Sequence, residues 1–216
     1  MKKLVIFDLD GTLTDTLESI EKSANLAIGA FGFAPIARDR YRYFVGNGAL
    51  ELIRQCLAYR GSEDEQLLKK VYTHYQEVFA QHCMYHVKPY EGIPELLKAL
   101  QEQHIRIAVN SNKPHLRTVE VVEHFFGKGV FDCIIGQSDE RARKPAPDGV
   151  YAILDALSVK KQDAIYIGDT CTDMQTGKSA GVFTVGALWG FRDRQELEEN
   201  HADAVIARPA ELLRYL

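Results

Sequence analysis

No apolar run in this chain approaches the roughly 20 residues a membrane helix requires, so no bilayer-spanning segment is expected. Cysteine is sparse and unpatterned. Cys56, Cys83, Cys133 and Cys171 contain no C-x-x-C pair, which argues against a disulfide framework or a zinc ribbon and for reduced thiols in a cytoplasmic protein. Near the start, Leu4–Phe7 is too short for the core of a secretion signal, and Asp8 and Asp10 interrupt it at once. Basic residues do not gather either. The densest group is Arg141, Arg143 and Lys144 in a chain of net charge −4, so no nucleic-acid partner is expected. Internal repeats and low-complexity segments are absent from the sequence.

What is present suits a packed core. Hydrophobic residues make up 46% and charged residues 26% of the 216 positions, a balance that excludes wholesale disorder. The length allows one large domain, or a core of about 140 residues with a small second domain. Short, nearly continuous apolar runs occur at Leu4–Phe7, Ile105–Val109, Cys133–Ile135, Ala164–Ile167 and Val182–Val185. Strands buried on both faces of a parallel sheet read this way. Helical spacing lies between them, at Pro94–Leu100, Asp148–Leu157 and Thr172–Ala180. The alternation predicts an α/β fold, a doubly wound, mainly parallel, Rossmann-like sheet.

Residues 15–86 break that alternation. Only helical periods appear there, at Ser19–Phe31, Ala49–Arg60 and Glu65–Tyr85. The expected organisation is a discontinuous core, 1–15 with 87–216, and an inserted all-helical unit, 16–86.

Three of the predicted strands end in polar residues. Leu4–Phe7 runs into Asp8, Ile105–Val109 into Asn110-Ser111-Asn112, and Ala164–Ile167 into Gly168-Asp169. Ligands of open α/β sheets bind beyond the carboxyl ends of the strands, so these groups are expected to converge. Asp8, Asp10, Asp169 and Asp173 would then crowd several carboxylates together, a repulsion that a hard cation such as Mg²⁺ relieves. Lys144 adds positive charge, Ser111 a hydroxyl and Asn112 an amide, which together describe a phosphate pocket. Asp8 and Asp10 stand two residues apart, so one can attack phosphorus while the other handles protons. Gly11 permits a sharp turn after the first strand.

In these features the chain resembles the haloacid dehalogenase superfamily. The matching segments are Asp8-Leu9-Asp10-Gly11-Thr12, Ser111 after an apolar strand, Lys144 in Lys144-Pro145-Ala146-Pro147-Asp148, and Gly168-Asp169-Thr170-Cys171-Thr172-Asp173. The resemblance implies Asp8 as nucleophile and metal ligand, and Asp10 as acid/base that also offers its carbonyl to the metal. It implies Asp169 as a Mg²⁺ ligand, with Asp173 binding or supporting the ion through water. Ser111 and Lys144 would hold the phosphoryl group, with Gly11, Thr12 and Asn112 at the substrate.

The insert is similar to the helical caps of this superfamily, whose closure expels water. Val45-Gly46-Asn47-Gly48, Asn112-Lys113-Pro114 and Trp189-Gly190-Phe191-Arg192 are similar to segments of phosphoglycolate phosphatases. Gly46, Asn47 and Gly48 would read the substrate, or form a plain turn. Arg38, Arg40 and Arg42 are placed to meet a carboxylate, or lie exposed. Trp189 is expected to pack. His82 and His86 have half the spacing of a zinc site, without a third ligand.

The expected activity is hydrolysis of a small phosphorylated metabolite by a monomer or homodimer, through an aspartyl phosphate. The enzymatic alternatives are a phosphomutase, or a phosphatase of pyrophosphate, nucleotides or sugar phosphates. Outside enzymes, the alternatives are a phosphoaspartate signalling module and an inactive binding module.

Overall fold

The computed structural model describes residues 2–216. The chain divides into two compact units, one formed by the residues up to Asp15 together with Pro89–Leu216, the other by Thr16–Lys88.

The discontinuous unit is built on six parallel strands. These are β1 (Leu4–Phe7), β4 (Arg106–Pro114), β5 (Cys133–Gln137), β6 (Ala164–Gly168), β7 (Phe183–Ala187) and β8 (Ala204–Ile206). The two-residue strands β2 (Thr14–Asp15) and β3 (Lys88–Pro89) lie where the chain passes between the units. The order across the large sheet is β5-β4-β1-β6-β7-β8. Counted within this sheet alone, that is the 3-2-1-4-5-6 arrangement of doubly wound folds. β1 is therefore central, pairing Phe7 with Val109 on one side and with Ile167 on the other. All four of its residues are buried, because helices cover both faces. On one face Leu4, Ile6 and Tyr166 pack with Val150, Ile153 and Leu154 of α7 (Asp148–Ala156). The other helices are α5 (Ile93–Glu102), α6 (His115–Phe126), α8 (Cys171–Ala180) and α9 (Arg194–Glu199).

The α/β architecture is as expected, with differences of extent. β8, α6 and α9 were not anticipated. β4 runs beyond Val109 to Pro114, with a register irregularity against β5 between Asn110 and Pro114. Such bulges re-aim side chains beside functional sites.

The helical unit comprises α1 (Leu17–Gly29), α2 (Arg38–Phe44), α3 (Ala49–Tyr59) and α4 (Glu65–His82). It has its own core, including Ile28, Tyr41, Ile53, Leu57 and Val71. Helix α2 was not anticipated. Helix α4 stops at His82 rather than Tyr85, and His86 beyond it takes φ +52°. Arg38 does meet carboxylates, but those of Glu18 and Glu21 in its own unit, at 2.7 and 2.6 Å. The two histidines go separate ways: the His82 ring meets the Val78 carbonyl, and His86 meets Glu18 at 2.8 Å. Gly46 and Gly48, at φ +127° and +86°, flank Asn47 in the bend that starts α3.

Candidate active site

Because all six large-sheet strands are parallel, β1, β4 and β6 deliver their last residues to the same edge, at the point beside β1 where the order of the strands changes direction. Asp8 follows β1 directly, Ser111 lies in the bulged end of β4, and Asp169 follows β6. Carboxylate oxygens of Asp8, Asp169 and Asp173 all fall within 4.8 Å of one another.

Lys144 binds this group together. Its ammonium lies 2.8 Å from Asp8 Oδ1 and 2.8 Å from Asp173 Oδ1. The lysine is buried, so its charge is spent on these carboxylates and not on solvent. Asn112 fixes its main chain from both directions: Lys144 N donates to Asn112 Oδ1 at 2.9 Å, and Asn112 Nδ2 donates to the Lys144 carbonyl at 3.1 Å. The side chain of Asn112 thus holds Lys144, and Asn112 lines the same cleft as Ser111 and Lys144.

Asp8 Oδ1 also accepts from the Leu9 amide at 2.7 Å. One oxygen is anchored in this way, and the other accepts no hydrogen bond among the described residues. Burial pushes the Asp8 carboxyl well above the ordinary range; Asp173 and Asp169 add to the rise and Lys144 opposes it. Burial likewise works to discharge Lys144, but Asp173 and Asp8 outweigh it and hold it protonated.

Asp169 accepts from the Thr12 hydroxyl at 2.9 Å and from Phe191 N at 2.8 Å. Thr12 is therefore spent on a carboxylate, not on a substrate. Burial, followed by the charge of Asp173, carries Asp169 up to about 7 against those two donors. Two chain segments press against this acid. A Cβ on Gly11, which has φ +90°, would lie 2.3 Å from Asp169 Oδ2. A Cβ on Gly190 would lie 2.3 Å from Asp169 Cβ and 2.4 Å from the Gly11 carbonyl. Trp189 Nε1 donates to the Thr12 carbonyl at 2.9 Å, so this indole braces the turn after β1.

Asp173 is differently occupied. Oδ1 accepts from Lys144 and, at 3.2 Å, from the Tyr166 hydroxyl; Oδ2 accepts from Thr170 N at 3.1 Å and Thr170 Oγ1 at 2.7 Å. The Thr170 contacts form a capping box that starts α8. Four donors saturate this carboxylate, so it positions Lys144 and caps a helix. A direct bond to a cation suits Asp8 and Asp169 better.

Asp10 stands outside the acidic cluster. Its carboxylate meets Lys113 Nζ at 2.8 and 3.1 Å. Ser111 Oγ accepts from the Lys113 amide at 3.2 Å, which leaves its own proton to donate. Ser111 and Lys144 both line a narrow cleft shared with Gln137, Ser138 and Arg141. Lys113, Gly190 and Phe191 lie in segments that carry the family resemblance, but the sequence assigns none of them a task. Gly46, Asn47 and Gly48 belong to the other unit.

This arrangement is that of a phosphoryl-transfer centre on a doubly wound sheet, and the chain belongs to the haloacid dehalogenase-like hydrolase family, whose pattern it matches over residues 5–187. Within that family it is a phosphatase of the group resembling phosphoglycolate phosphatases. It is 33% identical to the phosphoglycolate phosphatase of Rhodobacter capsulatus, over 89% of this chain and 87% of that one. It is 31% identical to that of Agrobacterium fabrum, over 95% and 88%. A crystal structure of a candidate phosphoglycolate phosphatase from Lactobacillus delbrueckii subsp. bulgaricus superposes with a TM-score of 0.94 at 28% identity, covering 100% of this chain and 98% of that one. No helix among the described residues is long and apolar enough to cross a membrane.

Proposed function

We propose that the chain is a magnesium-dependent phosphomonoesterase that acts on a small phosphorylated acid of the 2-phosphoglycolate kind, through a phosphoaspartate on Asp8. The observation that carries this is the double environment of the two acids after β1. Asp8 is held by Lys144 next to two further carboxylates, while Asp10 is held apart by Lys113.

The donor set fits a hard cation. Asp8 and Asp169 offer oxygens, and the raised values of both acids mark a cluster short of positive charge. The Asp10 carbonyl is a third ligand by family resemblance. When bound, Mg²⁺ neutralises charge on the phosphoryl oxygens. Everything else falls to the chain. The free oxygen of Asp8 attacks phosphorus as the bond to the substrate oxygen breaks. Asp10 gives its proton to that departing oxygen. Lys144 and the Ser111 hydroxyl hold the phosphoryl oxygens. Water then attacks the aspartyl phosphate and surrenders a proton to Asp10, releasing inorganic phosphate and restoring the Asp8 carboxylate. The helical unit, with its Gly46-Asn47-Gly48 bend, is proposed to serve as a cap that sets the substrate. A signalling module would leave Asp10 and its buried lysine without a task.

The test is Asp8→Asn, assayed with Mg²⁺ on 2-phosphoglycolate and on p-nitrophenyl phosphate. Turnover should vanish on both while the circular dichroism spectrum stays that of the wild type. Turnover near the wild-type rate would refute the reading.

A further inference from the structure

Each of the two acids that follow β1 has its own lysine. Lys144 faces Asp8, and Lys113 faces Asp10. The second pair is the unexpected one. The Lys113 side chain is 2% exposed and that of Asp10 is 14% exposed. Burying an ammonium group carries a heavy desolvation cost, and lysine is almost never fully buried unless it is paired. Packing supplies no reason here, since the ammonium is directed at a carboxylate in the turn beyond the central strand.

The main chain around Lys113 is fixed on both sides. Its N–H donates to Ser111 Oγ at 3.2 Å, and its carbonyl accepts from Thr118 Oγ1 at 3.0 Å. Gly136 on β5 passes so near that a Cβ there would lie 2.8 Å from the Lys113 carbonyl. The bulge in β4 falls across these same residues, between Asn110 and Pro114. So the strand end that presents Ser111 also aims Lys113, and neither can shift alone.

Asp10 lies two residues from Asp8 yet takes no part in the acidic cluster of Asp8, Asp169 and Asp173. We propose that Lys113 is a positioning residue that keeps the Asp10 carboxyl out of that cluster and oriented for proton transfer to the leaving oxygen. This rests on the phosphatase reading above, with Asp8 as nucleophile. Lys113 engages both carboxylate oxygens of Asp10, which fixes the plane of the carboxyl as well as its place. It acts on the reaction through Asp10 and not through the phosphoryl group.

The experiment compares Lys113→Met with the wild type on an alkyl phosphate and an aryl phosphate, 2-phosphoglycolate and p-nitrophenyl phosphate. The quantity is kcat/KM, which spans the steps up to departure of the first alcohol. A nitrophenolate leaves without a proton, whereas an alkoxide needs one. General acids contribute about 10²- to 10⁴-fold, so the ratio of alkyl to aryl rates should fall at least about tenfold in Lys113→Met. In an Asp10→Asn background the same change should leave that ratio where Asp10→Asn alone sets it. Equal losses on both esters, or no loss on either, would overturn the proposal, because Lys113 would then be acting on the phosphoryl group or on the fold. If Lys113→Met does not fold, Lys113→Arg serves. It keeps the charge but respaces the carboxyl, and its ratio should fall by a smaller factor; an unchanged ratio there overturns the proposal too. Asp8→Asn separates this outcome from failure of the phosphatase reading, since that variant alone decides whether Asp8 carries the chemistry.

Discussion

Replacing Asp169 by asparagine in the metal-free protein should alter stability in a manner that depends on pH. The perturbation removes one buried charge and keeps the shape. In the folded chain the Asp169 carboxyl rises from 3.8 to about 7, and at 1.36 kcal/mol per pKa unit ionising it in place costs the fold about 4 kcal/mol. Because the folded value lies above the unfolded one, the folded state binds more protons between them. Stability is therefore full below about pH 4 and is lost as pH climbs towards 7. Roughly 3 kcal/mol of that loss falls above pH 5. Asparagine does not titrate, but its amide sets a donor against Thr12 Oγ1 or Phe191 N, where Asp169 accepted, a mismatch of about 1–3 kcal/mol. The variant should be the weaker protein at pH 5 and match or pass the wild type at pH 8. At about 2–4 °C per kcal/mol for a chain this long, the difference in Tm should swing by roughly 6–12 °C in the variant's favour. Calorimetry in EDTA at pH 5, 6, 7 and 8 measures it. Millimolar Mg²⁺ should then lift the wild type at pH 8 and leave the variant nearly unmoved. A Tm difference that stays flat with pH would refute the electrostatic account of the cluster.

Two further outcomes follow from the walls of the site. Asn112→Ala removes both hydrogen bonds that fix the Lys144 main chain. It should lower kcat by about ten- to a hundredfold through misplacement of the ammonium, with a stability loss of about 1–3 kcal/mol; steady-state kinetics beside a thermal melt separate the two. Gly190→Ala drives a methyl into Asp169 and the Gly11 carbonyl. It should cost about 1–3 kcal/mol as an overpacked site and weaken Mg²⁺ binding, read by calorimetric titration; wild-type affinity would show that the segment 188–192 does not shape the cation site.

The parallel sheet was legible because strands covered on both faces leave unbroken apolar runs such as Leu4–Phe7 and Ala164–Ile167. Asp8, Ser111 and Asp169 were legible because strand ends announce where a ligand meets the sheet, and Lys144 through the resemblance carried by Lys144-Pro145-Ala146-Pro147-Asp148. What stayed hidden is of three kinds. β8 has three residues, too few for a period to show. In α6, Val119, Val121 and Val122 carry strand-like chemistry that blurs the helical pattern. β4 was read as ending at Val109 because polar residues follow, and a bulge with register loss leaves no signature in the sequence. Lys113, Trp189 and Gly190 escaped for a related reason. Their tasks concern where another group sits, and such roles depend on distances between segments far apart in the chain. The one available signal was the lysine directly after Ser111-Asn112, beside a strand end already marked as functional.

The centrality of β1 bears on the order in which the molecule matures. Leu4 pairs with Arg106 and with Ala164, so the strand that carries Asp8 waits for partners synthesised far later. Segments 16–88, by contrast, close their own hydrophobic interior from a single contiguous stretch. During translation the helical unit can consolidate early, while long-range pairing delays the sheet. A nascent or truncated chain lacking β6 would carry Asp8 without the carboxylates and glycines that discipline it. Catalytic competence is thereby coupled to completion of the polypeptide.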